Sequence, residues 1–134
     1  MLGSAQFGRT VVIADLEAGI GTLTRLPAQT VDVVVIVVEP TPRSIDVGQR
    51  ALELAAQRGR GQVIVVANRV LDATDASRVA AAFPGHELVL VPLDQAIADA
   101  DRVGRSPLDT APDSPGVQAL LSVADRINMS KPHA

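Results

Sequence analysis

The stretch Val33-Val34-Val35-Ile36-Val37-Val38, followed by Glu39-Pro40-Thr41-Pro42-Arg43-Ser44, decides how this chain folds. Its first half is an unbroken run of β-branched residues with no polar alternation, the pattern of a strand buried on both faces, as in a parallel sheet. The Pro-rich segment is a rigid turn in which Glu39 is solvated. A helix follows, with Ser44 placed to cap it, Ile45, Gly48, Leu52 and Ala55 recurring at three- and four-residue spacing, and Gly59 to end it.

Working outward, the same signal recurs at Val11–Ala14, Val63–Ala67 and Leu88–Val91. Helical patterns lie between or after these runs. One follows Thr74 or Asp75 and carries Ala76, Val79, Ala80 and Phe83 to Pro84-Gly85. Another starts at Asp94 and carries Ile97 and Ala100 to about Val103. The last is capped by Ser114, with Pro115 at its first position and Val117, Leu120, Leu121 and Ala124 as its apolar stripe. Strands alternating with helices predict an α/β fold with right-handed crossovers and helices on both faces of the sheet. Residues 1–10 read as an N-terminal lead, 11–128 as one α/β domain and 129–134 as a polar tail.

Composition narrows the function. With 134 residues the chain is one domain in size, and about a third of it is Val, Ile, Leu, Phe or Met, enough for a core. There is no cysteine, so thiol chemistry, disulfides and zinc ribbons are excluded, and His86 and His133 are too few for a histidine-built metal site. A net charge of −3, with Phe7 and Phe83 as the only aromatics, argues against nucleic acid as partner. No apolar run reaches the ~20 residues of a membrane span, and MLGSAQFGR lacks a signal-peptide core. The expectation is a cytoplasmic protein without a membrane span.

In parallel sheets ligands bind beyond the carboxyl ends of the strands, so function is sought in the residues just after each run. Asp15 follows Val11–Ala14. A carboxylate held there by a rigid strand suits hydrated Mg²⁺ beside nucleotide phosphates, which needs only one or two carboxylates. Gly19 and Gly21 give the next loop freedom to approach a ligand closely. The same Asp is equally in place as a helix cap or turn former. Asn68 follows Val63–Ala67, where its amide can both donate to and accept from a purine edge, or simply form a turn. The Asp that guanine recognition uses three residues later is replaced by Leu71. Pro92-Leu93-Asp94 offers backbone groups to the same base, with Asp94 also a plain N-cap. A phosphoacceptor receiver domain fits poorly: no acidic residue precedes Asp15, and Lys131 is the only lysine. An unrelated flavodoxin-like ligand binder lacks a visible phosphate loop.

The order Asp-Leu-Glu-Ala-Gly-Ile (15–20), Val-Val-Glu-Pro-Thr-Pro-Arg-Ser-Ile (37–45), Val-Val-Ala-Asn-Arg (65–69) and Val-Pro-Leu-Asp (91–94) resembles the MinD/ParA-type P-loop ATPases. Within them it is most similar to the accessory ATPases of carbon monoxide dehydrogenase maturation, which serve nickel insertion. The resemblance runs from about Val11 to Ile127 but matches only the second half of the family's domain. It implies a three-layer αβα fold with a mostly parallel sheet that lacks the P-loop strand. It implies ATP and Mg²⁺ as ligands, Asp15 as the Walker B aspartate and metal holder, and Glu17, Ala18 and Gly19 as the segment sensing the terminal phosphate. Asn68 would contact adenine, and Pro92, Leu93 and Asp94 would line the base. Asp15 and Glu17 are thus the catalytic candidates.

The departures are specific. The opening Gly-Lys-Gly-Gly-x-Gly-Lys-Thr loop (Walker A) is absent, Gly21-Thr22 replaces a Glu-His pair, and the metal-binding cysteine pair is missing. Without a nest of N–H donors and a lysine, phosphates would face Asp15 and Glu17 uncompensated. Two like charges ~4 Å apart repel by ~4 kcal/mol at an effective dielectric near 20. The isolated chain is therefore expected to bind ATP weakly and not to hydrolyse it. The resemblance also leaves a gap beside Val33–Val38, where the phosphate-loop strand would sit. Closure of that gap by Val11–Ala14, a homodimer, or a complementing amino-terminal P-loop half are the three expectations; a non-catalytic interaction or regulatory module is the alternative to an ATPase half.

Overall fold

The computed structural model describes residues 11–16, 31–57 and 61–130. Three strands form one all-parallel sheet in the order β1-β2-β3: β1 is Val33–Val38, β2 Gln62–Val70 and β3 Glu87–Pro92. Helix α1 (Pro42–Gln57) joins β1 to β2, and α2 (Ala73–Ala82) joins β2 to β3. Beyond β3 come α3 (Gln95–Arg102), a single turn α4 (Pro107–Thr110) and α5 (Pro115–Met129).

The unalternated apolar runs become strands covered on both sides. On one face Ile36, Val38, Val65 and Ala67 pack against Ile45 of α1, Val79 of α2 and Phe83 just after α2. On the other, Ile64, Val66, Val89 and Val91 pack against Ala119, Val123 and Ile127 of α5. The result is the expected three-layer αβα arrangement. It is tightest where α1 crosses β1: a Cβ on Gly48 would lie 2.3 Å from Val38 Cγ1 and 3.1 Å from Phe83 Cζ. Only a residue without a side chain lets the helix come that close.

Far from the rim, the amino ends of β2 and β3 are tied to the end of α5. The Arg126 guanidinium donates to Glu87, Gln62 Nε2 donates to Glu87 Oε2 at 2.7 Å, and Ser130 Oγ donates to the Arg126 carbonyl at 2.9 Å. The Arg126 and Gln62 hydrogen bonds hold the Glu87 carboxyl below its ordinary range.

Several local expectations need correction. Val11–Ala14 is not a strand: Val11 through Leu16 is irregular, with Val11, Val12 and Ile13 exposed, and direct closure onto β1 does not occur among the described residues. Four apolar residues signal a wish for burial, but a strand also needs a partner ladder, which local sequence cannot supply. The cap of α1 is Thr41, not Ser44. Thr41 Oγ1 accepts from the Ser44 amide at 3.3 Å and Pro42 takes the first helical position, while Ser44 Oγ accepts from the Glu39 amide at 2.8 Å. Helix α2 starts earlier than expected, capped by Asp72, which accepts from the Asp75 amide. Strand β2 runs through Asn68 to Val70, with a register shift after Ala67. The caps at Asp94 and Ser114 are as expected.

The close crossing of α1 on β1 sets a testable cost. Gly48→Ala should destabilise the fold by about 1–3 kcal/mol, because backbone or core must shift to admit a methyl. Phe83→Ala, which empties a site only 2% exposed, should cost about 3–5 kcal/mol. Urea unfolding followed by circular dichroism measures both, and a Gly48→Ala midpoint equal to the parent's would refute the packing account.

Candidate functional site

Parallel strands bring all their carboxyl ends to one rim, so Glu39, the Asn68-Arg69-Val70 segment and Leu93-Asp94 emerge side by side. The amino ends of α1, α2 and α3 open on the same rim. The tie between β2 and β3 is direct, with the Leu93 amide donating to the Val70 carbonyl at 2.9 Å. Asn68 sits half-buried at the register shift, and Arg69 adopts the left-handed conformation at φ 58°. That conformation is uncommon for a residue with a Cβ and costs of order 1–3 kcal/mol where it is strained. It turns the strand end outward, where the Arg69 guanidinium meets the Glu39 carboxylate at 3.6 Å. Glu39 is therefore paired across the β1 and β2 ends, not simply solvated. Next to it, Arg78 of α2 donates to the Pro40 carbonyl at 3.1 Å, which fixes the turn into α1.

Asp94 does two jobs with one carboxylate. Its Oδ1 accepts from the Ala96 amide at 2.9 Å and caps α3, and its Oδ2 accepts from the Gly116 amide at 2.8 Å in the first turn of α5. A Cβ at Gly116 would fall 2.8 Å from Asp94 Oδ2, so glycine is needed for that approach. The Gly116 amide, the Ser114 hydroxyl and the Ala96 amide together hold the Asp94 carboxyl below its ordinary range. A charge consumed by two helix ends is a structural clamp. Pro92 and Leu93 remain free to line a ligand, Leu93 being exposed on the rim.

The remaining candidates are less gathered. Asp15 is exposed and follows no strand. Glu17 and Gly19 lie outside the described residues, so the terminal-phosphate segment does too. Among the described residues no cluster of three His, Cys, Asp or Glu side chains could hold a metal ion. The rim also does not suit a triphosphate. Each of its three helix amino ends gives one amide to its own cap, Ser44 to Thr41, Asp75 to Asp72 and Ala96 to Asp94, and the two carboxylate caps would repel a phosphate. Among the described residues the rim also exposes Leu71 and Leu93, with Asn68 half-buried at the strand end.

Sequence comparison bears on this arrangement. Over 102 residues, 75% of its length, the chain is 32% identical to the carbon monoxide dehydrogenase accessory protein CooC of Rhodospirillum rubrum. The chain is a partial relative of CooC. A second relative, an uncharacterized ATP-binding protein of Methanocaldococcus jannaschii, is 42% identical over 60 residues, 45% of the chain. The matched stretch covers 39% of CooC and 23% of the archaeal protein, so the chain spans less than half of the curated relatives it matches. No protein-family model matches.

Sequence reading missed the Glu39–Arg69 pair and the second role of Asp94 in this CooC-like stretch. Neither leaves a local signal, since Asp94 and Gly116 are far apart in the chain. Thr41-Pro42, a capping residue before a proline at the first helical position, is the local signal that marks the start of α1 in place of Ser44.

The clamp has a pH signature. An aspartate whose folded pKa is depressed contributes stability that is complete above its ordinary value near ~3.9 and is lost as pH falls through the folded value. The parent's urea midpoint should therefore hold through neutrality and drop in the acid range, with Glu87 contributing in the same sense. Asp94→Asn should be less stable at neutral pH yet lose less on acidification; parallel curves for the two proteins would exclude the clamp.

Proposed function

We propose that this chain supplies the base-recognising half of a CooC-type, MinD/ParA-like ATP-binding domain. The observation that carries the reading is that the end of β2, with Asn68 two residues before Val70, adjoins Pro92 of β3 and Leu93 just beyond it, Val70 pairing with Pro92 and accepting from the Leu93 amide. In this reading the Asn68 amide meets the adenine edge, with Pro92, Leu93 and the Asp94 backbone beside it. Leu71, in place of a carboxylate, disfavours guanine. Asp15 acts as the Walker B carboxylate and takes Mg²⁺ through water; Glu17 and Gly19 answer the terminal phosphate. The phosphate-gripping loop comes from polypeptide beyond these 134 residues, and ATP hydrolysis requires it. Such a complementing segment, or a second copy of the chain, would meet the exposed side of β1. The protein works in the cytoplasm; among the described residues no helix is long and apolar enough to cross a membrane.

A second reading is a non-catalytic interaction or regulatory module descended from the same ancestry. The carboxylate-capped helix ends favour it, because they leave the rim ill-suited to phosphate.

Titration of the labelled chain with adenosine and with guanosine, followed by NMR, separates the two. The expected result is amide shifts at Asn68 and Leu93 with adenosine at millimolar concentration, weaker or absent with guanosine, and lost in Asn68→Ala. Calorimetry with ATP and Mg²⁺ should show tight binding only after addition of a polypeptide carrying the Gly-Lys-Gly-Gly loop, and the chain alone should release no phosphate. Indifference of the rim to both nucleosides would leave the interaction module standing.

A further inference from the structure

Strand β2 does not run evenly to its end. Its ladder with β3 pairs Ala67 with Leu90 and Val70 with Pro92, so Asn68 and Arg69 together stand against Val91. One residue is in excess, the signature of a β-bulge, and Arg69 carries it with φ at 58°. The excess changes which way the strand end faces. Residues three apart on a regular strand point to opposite sides of the sheet, yet Ala67 and Val70 both lie in the core on the α1 and α2 side. The bulge returns Val70 to that core and frees the two residues before it from the regular alternation, Asn68 half-buried and Arg69 exposed.

A left-handed residue in a bulge is ordinarily glycine. An arginine there accepts backbone strain, which persists only where the surroundings impose it. Here they do so from both sides. Toward β3, the Val70 carbonyl accepts from the Leu93 amide at 2.9 Å. Toward β1, the Glu39 carboxylate draws the Arg69 guanidinium to 3.6 Å. Glu39 is itself held, its amide donating to Ser44 Oγ at 2.8 Å and its carbonyl accepting from the Thr41 amide at 2.8 Å. An ion pair this exposed adds little stability. Its effect is one of direction: the cation goes to the β1 side, away from Pro92 and Leu93 on the β3 side.

We infer that Arg69 is a positioning residue, whose left-handed backbone, rather than its charge, fixes the Asn68 side chain in one rotamer over the rim. An amide can read a base edge only when its donor and its acceptor are both held in place. A bulge beside a binding site is a recurrent way of re-aiming one side chain without disturbing the strand that carries it. The bulge also separates two duties at the end of β2: Val70 serves the core, and Asn68 is released from it. What Asn68 meets rests on the adenine reading proposed above; its aim is a property of the free chain.

NMR of the labelled chain, of Arg69→Gly and of Arg69→Val tests this. Arg69 is exposed, so circular dichroism should show both variants folded; Arg69→Thr, equally β-branched, replaces the valine variant if it does not fold. Glycine keeps the left-handed backbone and removes the guanidinium, whereas a β-branched residue resists that backbone. In the free chain, side-chain couplings should place Asn68 in one χ1 rotamer in the parent and in Arg69→Gly, and in averaged rotamers in Arg69→Val. The adenosine dissociation constant should stay within about twofold in Arg69→Gly and rise at least about fivefold in Arg69→Val, the backbone strain expressed as affinity. An Asn68 already averaged in the parent overturns the proposal. So does one unmoved by Arg69→Val, or one released by Arg69→Gly, where the charge and not the backbone would do the aiming. If adenosine binds neither the parent nor Arg69→Gly, the adenine reading fails, and the Asn68 couplings alone decide the role of Arg69.

Discussion

The structure depends on the burial of β2. Ile64, Val65, Val66 and Ala67 are almost wholly withdrawn from water, with strands on both edges and helices on both faces. A backbone placed so deep must satisfy every N–H and C=O within the protein, because no water reaches it. Parallel neighbours on either side do that, and parallel neighbours in turn require the crossovers α1 and α2. Layering, helix placement and the common direction of the strand ends all follow from this one strand.

The rim inherits its character from the same constraint. Once the strands share a direction, their carboxyl ends and the amino ends of the next helices meet, and each helix start needs an acceptor. In this chain the acceptors are its own side chains. Asp94 goes further by holding α3 and α5 at once, so a residue placed where a ligand would sit serves the fold. The Leu93 backbone is likewise spent on the tie to Val70, while Asn68 stays half-buried at the register shift beside it. The left-handed Arg69 and its pairing with Glu39 show where local strain is accepted to shape this surface.

The two sides of the sheet are finished to different degrees. Around β2 and β3 most apolar groups are covered, Leu90 excepted, whereas Val35 and Val37 of β1 stay exposed among the described residues.

Residues one to four apart determined much of what is seen. The β-branched runs at 33–38, 63–67 and 88–91, the helical spacing after Pro42 and the caps at Asp94 and Ser114 are local signals, and local physics reproduces them. Asn68, Pro92 and Leu93 could be expected on one rim because strand direction alone puts them there. Tertiary structure decided the rest. Whether Val11–Ala14 joins the sheet, whether Asp94 is free or clamped, and whether Glu39 faces water or Arg69 each depend on a partner distant in the chain. An apolar run records only that burial is favourable, a carboxylate only that it will accept hydrogen bonds. Which surface does the burying and which amide does the donating are settled by packing.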